Sequence, residues 1–453
     1  MTWANKTAFI LTCAIVILTT LAYGAVHQPI ISMFYASVAA LVILLSVDGW
    51  KIGSFRLSSS RLQWPLAAAA LYGIIQVIPF GSLRAIAGVS GIPRTISLDP
   101  FATEVNALHF VALFLFLAAT LVLFDSASRL RKVAAMITIF GALYAFFAIL
   151  QSVLSPDKIY GIYERPFTTP FGSFVSRHNF AALIEMAAAI PLGLIFVGAV
   201  ERDKRLLYLT SIALMGSALL LSGSRGGLVA LIAELVILAL MTMRSKSGNI
   251  TGAKIGLAVL LFLAIIGGSF FVGGDSSLTR LSDTAVANEK VTDRAHIWKV
   301  SLEVIKNNMP FGAGLGAYGV AFTPYDDHSG LERVEQAHND YLQVISDAGF
   351  AGIAIGLFFL FVLFKTARAA IGVENTWRRG VAVGAVAGIF AVLVHSIFDF
   401  VLHTTAISVM FLTLISLLVS SRYRYDDDID EQPRHGRKSG SQRRSQPSRS
   451  RAR

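Results

Sequence analysis

The sequence predicts an all-α integral membrane protein of about 12 transmembrane helices with one large loop on the outer side. Three observations predict it. The chain of 453 residues is 55% hydrophobic and only 15% charged, whereas a soluble domain carries roughly 25% charged residues. Its apolar residues gather in blocks near the ~20 residues that a helix needs to cross the hydrocarbon core. Lysine and arginine crowd into alternate connections between those blocks. Lipid offers a crossing backbone no hydrogen-bond partner, so each block is expected to be helical. The 31 phenylalanines suit a lipid-facing surface. The single cysteine, Cys13, excludes an intrachain disulfide.

In order, spans are expected at 7–25, 29–47, 63–80, 106–124, 133–153, 179–199, 206–222, 226–243, 255–273, 344–364, 380–400 and 404–420. Ala22-Tyr23-Gly24 resembles a signal-peptide cleavage site. The apolar stretch before it is longer than a usual signal core and only Lys6 marks its start, so a retained span is expected. With the N-terminus inside, the inner connections hold Lys51, Arg56 and Arg61, then Arg129, Arg131 and Lys132. Further along they hold Arg202, Lys204 and Arg205, then Arg244, Lys246 and Lys254, then Lys365, Arg368, Arg378 and Arg379. The short outer connections after spans one and eleven have no Lys or Arg. This pattern places both termini in the cytoplasm. A net charge of +11 distributed this way excludes nucleic acid as the partner and points to membrane lipids.

Residues 1–420 form the expected membrane domain. The tail 421–453 opens on Asp426-Asp427-Asp428 and ends in Arg, Ser, Gln and Pro. It cannot form a core and is expected to be a disordered basic cytoplasmic tail, either a topology anchor on anionic lipid or a partner-binding segment.

Three outer segments exceed a simple turn: 81–105, 154–178 and 274–343. The last predicts a short amphipathic helix over 293–306, with Trp298, Leu302 and Ile305 on one face at the membrane surface. Next comes Pro310-Phe311-Gly312-Ala313-Gly314-Leu315-Gly316-Ala317-Tyr318-Gly319. No βαβ context surrounds these glycines, which excludes a dinucleotide fingerprint. They predict a tight turn, whose N–H groups are candidates to meet a phosphate. His338 follows at the mouth of span ten, with Asn339 or Asp340 as its cap.

Arg225 stands in the short link Ser222-Gly223-Ser224-Arg225-Gly226-Gly227. An arginine so near hydrocarbon either pairs, binds a ligand or snorkels to headgroups. Glu185 and Glu234 are expected to face the bundle interior, as an ion pair, a protonated carboxyl or a functional site. His395 and Asp399 are four apart and are expected to share a helix face within hydrogen-bonding reach.

His338, Arg225, Arg294 and Arg177 thus fall at one membrane level. A neutral histidine can take a proton from a hydroxyl, and arginines bind phosphate oxygens bidentately. Together they suit transfer from a lipid diphosphate donor to a hydroxyl acceptor. No Asp-x-Asp or His/Cys ligand cluster is visible in the outer loops, which argues against a metal-bound donor. A transporter would place its polar groups near the midplane in broken helices rather than at one rim.

Several segments resemble the bacterial O-antigen ligase and polymerase superfamily of polytopic glycosyltransferases. They are Ser176-Arg177-His178-Asn179, Ser224-Arg225-Gly226-Gly227, Arg294 with Trp298, the glycine run after Pro310, His338-Asn339-Asp340-Tyr341-Leu342, and His395-Ser396-Ile397-Phe398-Asp399. The resemblance covers about 165–420. It implies a GT-C-like membrane fold and an undecaprenyl-diphosphate-linked glycan donor. The implied acceptor hydroxyl belongs to a glycan, a lipid A core or a protein. Transfer would be inverting and metal-independent, without a cofactor, at the periplasmic face of the inner membrane. By position it makes His338 the catalytic base and Arg225, Arg294 and Arg177 the diphosphate ligands. Asn339, Asp340, His395 and Asp399 become supporting residues. Ligase and polymerase share donor and leaving group and remain unseparated.

Overall fold

In a computed structural model, the structure describes residues 1–83, 90–164, 169–242, 289–327 and 333–423, with 289–293 described as backbone only. The ninth expected span and the tail from 424 onward lie outside them. The described residues form α1 (Trp3–Leu21), α2 (Gln28–Ile52), α3 (Trp64–Val77), α4 (Pro100–Leu123), α5 (Ala127–Leu154), α6 (Arg177–Val197), α7 (Arg205–Leu221) and α8 (Arg225–Thr242). Then follow α9 (Glu289–Asn308), α10 (Tyr318–Phe322), α11 (Asp340–Ile371), α12 (Thr376–His395) and α13 (Thr405–Ser420). A two-stranded hairpin, β1 (Lys158–Ile159) and β2 (Tyr163–Glu164), precedes α6.

Eight of the helices are long and apolar enough to cross a membrane: α1, α2, α4, α5, α6, α8, α11 and α12. The apolar α7 and α13 are shorter. α3 has only 14 residues, about 21 Å of helix against a hydrocarbon core of about 30 Å. The first span is integral to the bundle. Asn5 on α1 donates to Asp48 on α2 at 2.7 Å, and Arg129 on α5 donates back to Asn5. The Ala22-Tyr23-Gly24 segment is a packed turn, with Gly24 lying against Phe174 and Thr404.

α6 and α13 form the centre, and every residue of α13 is buried. α12 crosses α6 so closely that backbone meets backbone. Gly380, Gly384 and Gly388 are spaced by four and lie on one face of α12 against Leu194, Ala189 and Met186. Small residues allow such approach between helices that lipid alone would not drive together. A Cβ on Gly193 would sit 2.3 Å from the Gly384 nitrogen. Gly193→Ala is therefore expected to destabilise the protein by roughly 1–3 kcal/mol, toward the upper end because backbone cannot rotate away. That exceeds the ~1 kcal/mol of helix propensity gained. A lowered thermal midpoint in detergent is the expected readout.

The extramembrane helix α9 buries a different face from the one the sequence favours. Ile297, Val300, Ser301 and Val304 point inward, against Ala313, Tyr318, Phe322 and Ala337. Leu302 is exposed, and Trp298 is half-buried, its Nε1 donating to the Ala337 carbonyl at 3.1 Å. The glycine turn also departs from expectation. It packs tightly, with Gly312 against Asp347, Gly314 against Ser97 and Gly316 against Asn106. Its N–H groups, however, are already consumed. Residues 312, 313, 314 and 317 donate to backbone carbonyls, Leu315 to Gln76, and Gly316 to Asp347. The turn clamps α9 to α11, and none of the N–H groups from 312 to 317 is left over for a phosphate.

Candidate functional site

The start of α11, the connection from α12 to α13, the N-terminal turns of α6 and α8, and α9 converge at one end of the bundle. Asp399 is their meeting point. Its Oδ1 lies 3.1 Å from His338 Nδ1, and its Oδ2 accepts from Arg294 Nη2 at 3.3 Å. His178 Nδ1 stands 3.8 Å from the same Oδ2 and 2.9 Å from Ser224 Oγ. Ser224 in turn caps α8 by accepting the Gly227 N–H. The carboxylate is nearly buried, while His338 and Arg294 keep about a third of their side-chain surface.

Burial alone would raise the Asp399 carboxyl. The His338 hydrogen bond, with the positive potential of His178 and Arg294, outweighs burial and holds it well below the usual carboxylate range. An ionised Asp399 favours the His338 tautomer that carries its proton on Nδ1, which leaves Nε2 as the ring's acceptor.

The sequence places Asp399 on a helix face with His395, and the structure separates them. α12 ends at His395; the Asp399 N–H still donates to the His395 carbonyl at 3.2 Å, but the two side chains go to different partners. His395 turns inward to Glu185 at 3.0 Å, both fully buried, while Asp399 turns outward to His338. Glu185 and Glu234 face the interior as expected.

His338 adopts a left-handed backbone conformation, φ 49°, at a cost of order 1–3 kcal/mol. The surroundings hold it there. Asn339 caps α11 by accepting from Tyr341 and Leu342, and its Nδ2 donates to Ile397 O at 2.9 Å. The Asp340 N–H donates to Ser396 O at 2.9 Å, and the His338 ring meets Phe400 edge to face at 4.8 Å.

Arg225 occupies the first turn of α8. It is exposed and has no hydrogen-bond or ion-pair partner among the described residues. Gly226 and Gly227 beside it pack onto His395 and onto Ala181 with Glu185, so a side chain at either would push α8 away. Arg177 opens α6, and its Nη1 lies beside Gly223 of the same link. The structure thus joins His338 to Arg294 through Asp399, and sets Arg177 against the link that carries Arg225.

The sequence marks Asp399 only as a supporting residue and assigns no role to His178 or His403. The absence of an Asp-x-Asp or His/Cys ligand cluster in the outer loops does not extend to mixed His/Asp groupings. One exists: His296 Nε2 lies 2.8 Å from Asp326 and Nδ1 lies 3.6 Å from Asp327, a trio with metal-ligand spacing. Thirty residues of chain separate the histidine from the aspartates, so spacing alone did not reveal it.

Residues 210–357 match the family model described as O-Antigen ligase. No curated protein matches the chain. The matched stretch contains Arg225, Arg294 and His338 and supports the O-antigen ligase/polymerase superfamily. Together with the helices long and apolar enough to cross a membrane among the described residues, the match supports a glycosyltransferase-like membrane protein at the level of the family.

Proposed function

We propose that this membrane protein, with its O-antigen ligase match as the premise, transfers a glycan from an undecaprenyl-diphosphate carrier to a hydroxyl acceptor. The reaction takes place at the periplasmic face of the inner membrane, and both termini lie in the cytoplasm. Ligase-type transfer is the preferred form, with joining of repeat units as the alternative. The observation that carries the reading is the His338–Asp399–Arg294 set at one end of the bundle, with Arg225, which has no partner among the described residues, on the adjoining turn of α8. A base fixed by a buried carboxylate stands among guanidiniums that neutralise a departing diphosphate.

In this reaction His338 Nε2 takes the proton of the acceptor hydroxyl. The hydroxyl oxygen forms the new bond to the anomeric carbon as the bond to the phosphate oxygen breaks. The electron pair leaves with the diphosphate, whose added charge Arg225, Arg294 and Arg177 offset. Attack opposite the leaving group inverts the anomeric centre. Asp399 stays ionised and stabilises the imidazolium that forms.

Arg225→Lys is expected to raise the donor KM about tenfold or more, because lysine loses the planar fork that grips two phosphate oxygens. Unchanged donor affinity in that variant would show that Arg225 only snorkels to headgroups. Gene deletion followed by analysis of surface glycan tests the function as a whole. A ligase leaves full-length glycan on the lipid carrier and none attached. A polymerase leaves single repeat units. Unaltered attached glycan would overturn the reading.

A further inference from the structure

The mechanism uses one histidine of a crossed pair. Residues 338–340 read His-Asn-Asp, and residues 399–403 read Asp-Phe-Val-Leu-His. His338 bonds to Asp399 at 3.1 Å, and His403 Nδ1 bonds to Asp340 Oδ1 at 2.7 Å. Asp340 Oδ2 also accepts the Leu402 N–H at 3.2 Å. In each pair the carboxylate takes Nδ1, and Nε2 has no protein partner among the described residues. The His403 side chain keeps 32% of its surface although helices surround it.

The two pairs differ in what stands behind them. Asp399 has Arg294. Neither Asp340 nor Asp347 has a lysine or arginine ion pair among the described residues. Asp347 lies within electrostatic reach of His403, its carboxylate accepting from Gly316 and Gln343. His109 on α4 is also within reach of His403, and its Nδ1 meets the Tyr35 hydroxyl at 3.2 Å. Two carboxylates and the His109 imidazole therefore surround His403, and His109 carries the Tyr35 phenol. Carboxylates repel a diphosphate, whereas this mixture of donors and acceptors matches sugar hydroxyls.

We propose that Tyr35, His109, Asp340 and His403 form the subsite that holds the hydroxyl-bearing acceptor glycan beside His338. This rests on the glycosyltransferase reading above. The geometry divides the labour: guanidiniums from α6, α8 and α9 take the donor diphosphate, and the side formed by α2, α4, the start of α11 and the connection before α13 takes a neutral, hydroxyl-rich ligand. Burial works against charge on His403, yet Asp340, with Asp347 behind it, raises it above the ordinary imidazole value. Its Nε2–H then donates to an acceptor oxygen.

The test uses the purified full-length protein, with lipid-linked donor and glycan acceptor both isolated from a strain lacking the gene. His403→Gln is expected to raise the acceptor KM about tenfold and Tyr35→Phe a few-fold, while the donor KM shifts less than twofold. Equal shifts in both KM values, or an unchanged acceptor KM in both variants, would overturn the subsite. Tyr35→Phe removes one hydroxyl and keeps the ring, so it decides the matter if His403→Gln does not fold. Full transfer by His338→Asn would instead sink the underlying reading. Loss of transfer in that variant, with an unmoved acceptor KM in the other two, would sink only the subsite.

Discussion

Asp399→Asn is expected to lower kcat by roughly 10²–10⁴-fold. The substitution is nearly isosteric, so the expected loss is chemical. An amide no longer selects the His338 tautomer with Nδ1–H, nor does it stabilise the imidazolium that forms during transfer. It also releases Arg294, whose Nη2 rests 3.3 Å from the carboxylate. Thermal unfolding should accompany the kinetics. A folded variant with kcat within threefold of the parent would show that Asp399 has a structural role alone. The depressed carboxyl carries a second consequence. Its contribution to stability is complete above the ordinary carboxylate value of about 4 and is lost as the pH falls through its lower folded value.

His338→Asn should reduce kcat by roughly 10²–10⁴-fold with little change in donor affinity, the usual worth of a general base. Asparagine suits this test because it tolerates the left-handed backbone at φ 49°. It also keeps a donor for Asp399. Alanine would add backbone strain to the chemical loss and confuse the two. Near-parental kcat in the asparagine variant would remove His338 from proton transfer.

Much of the fold is legible in the sequence because lipid dictates element length. Every expected span except the ninth, which lies outside the described residues, falls on a helix. The candidate positions are legible for a related reason. Polar residues so near hydrocarbon need a purpose, and Arg225 and His338 stood out for that.

What failed were relations that depend on where a helix stops or what packs on it. His395 and Asp399 share a face only if the helix continues, and it ends at His395. α9 carries two apolar stripes one residue apart. Its partner, the Tyr318–Phe322 cluster, selects the stripe through Ile297, Val300 and Val304. The glycine run marks a tight turn in sequence, but only the fold shows that its N–H groups are spent on Gln76, Ser346 and Asp347. His403 follows an apolar run with no local pattern. Its pairing with Asp340 spans 63 residues, beyond the reach of spacing arguments.

The central claim is that this end of the bundle breaks a glycan–diphosphate bond in favour of a hydroxyl. The most direct measurement follows undecaprenyl diphosphate released by the purified protein from lipid-linked glycan, with and without the acceptor from the deletion strain. The account predicts acceptor-dependent release, equimolar with glycan gained by the acceptor, and none from His338→Asn. Absence of release from the parent protein, or equal release from the variant, would contradict it.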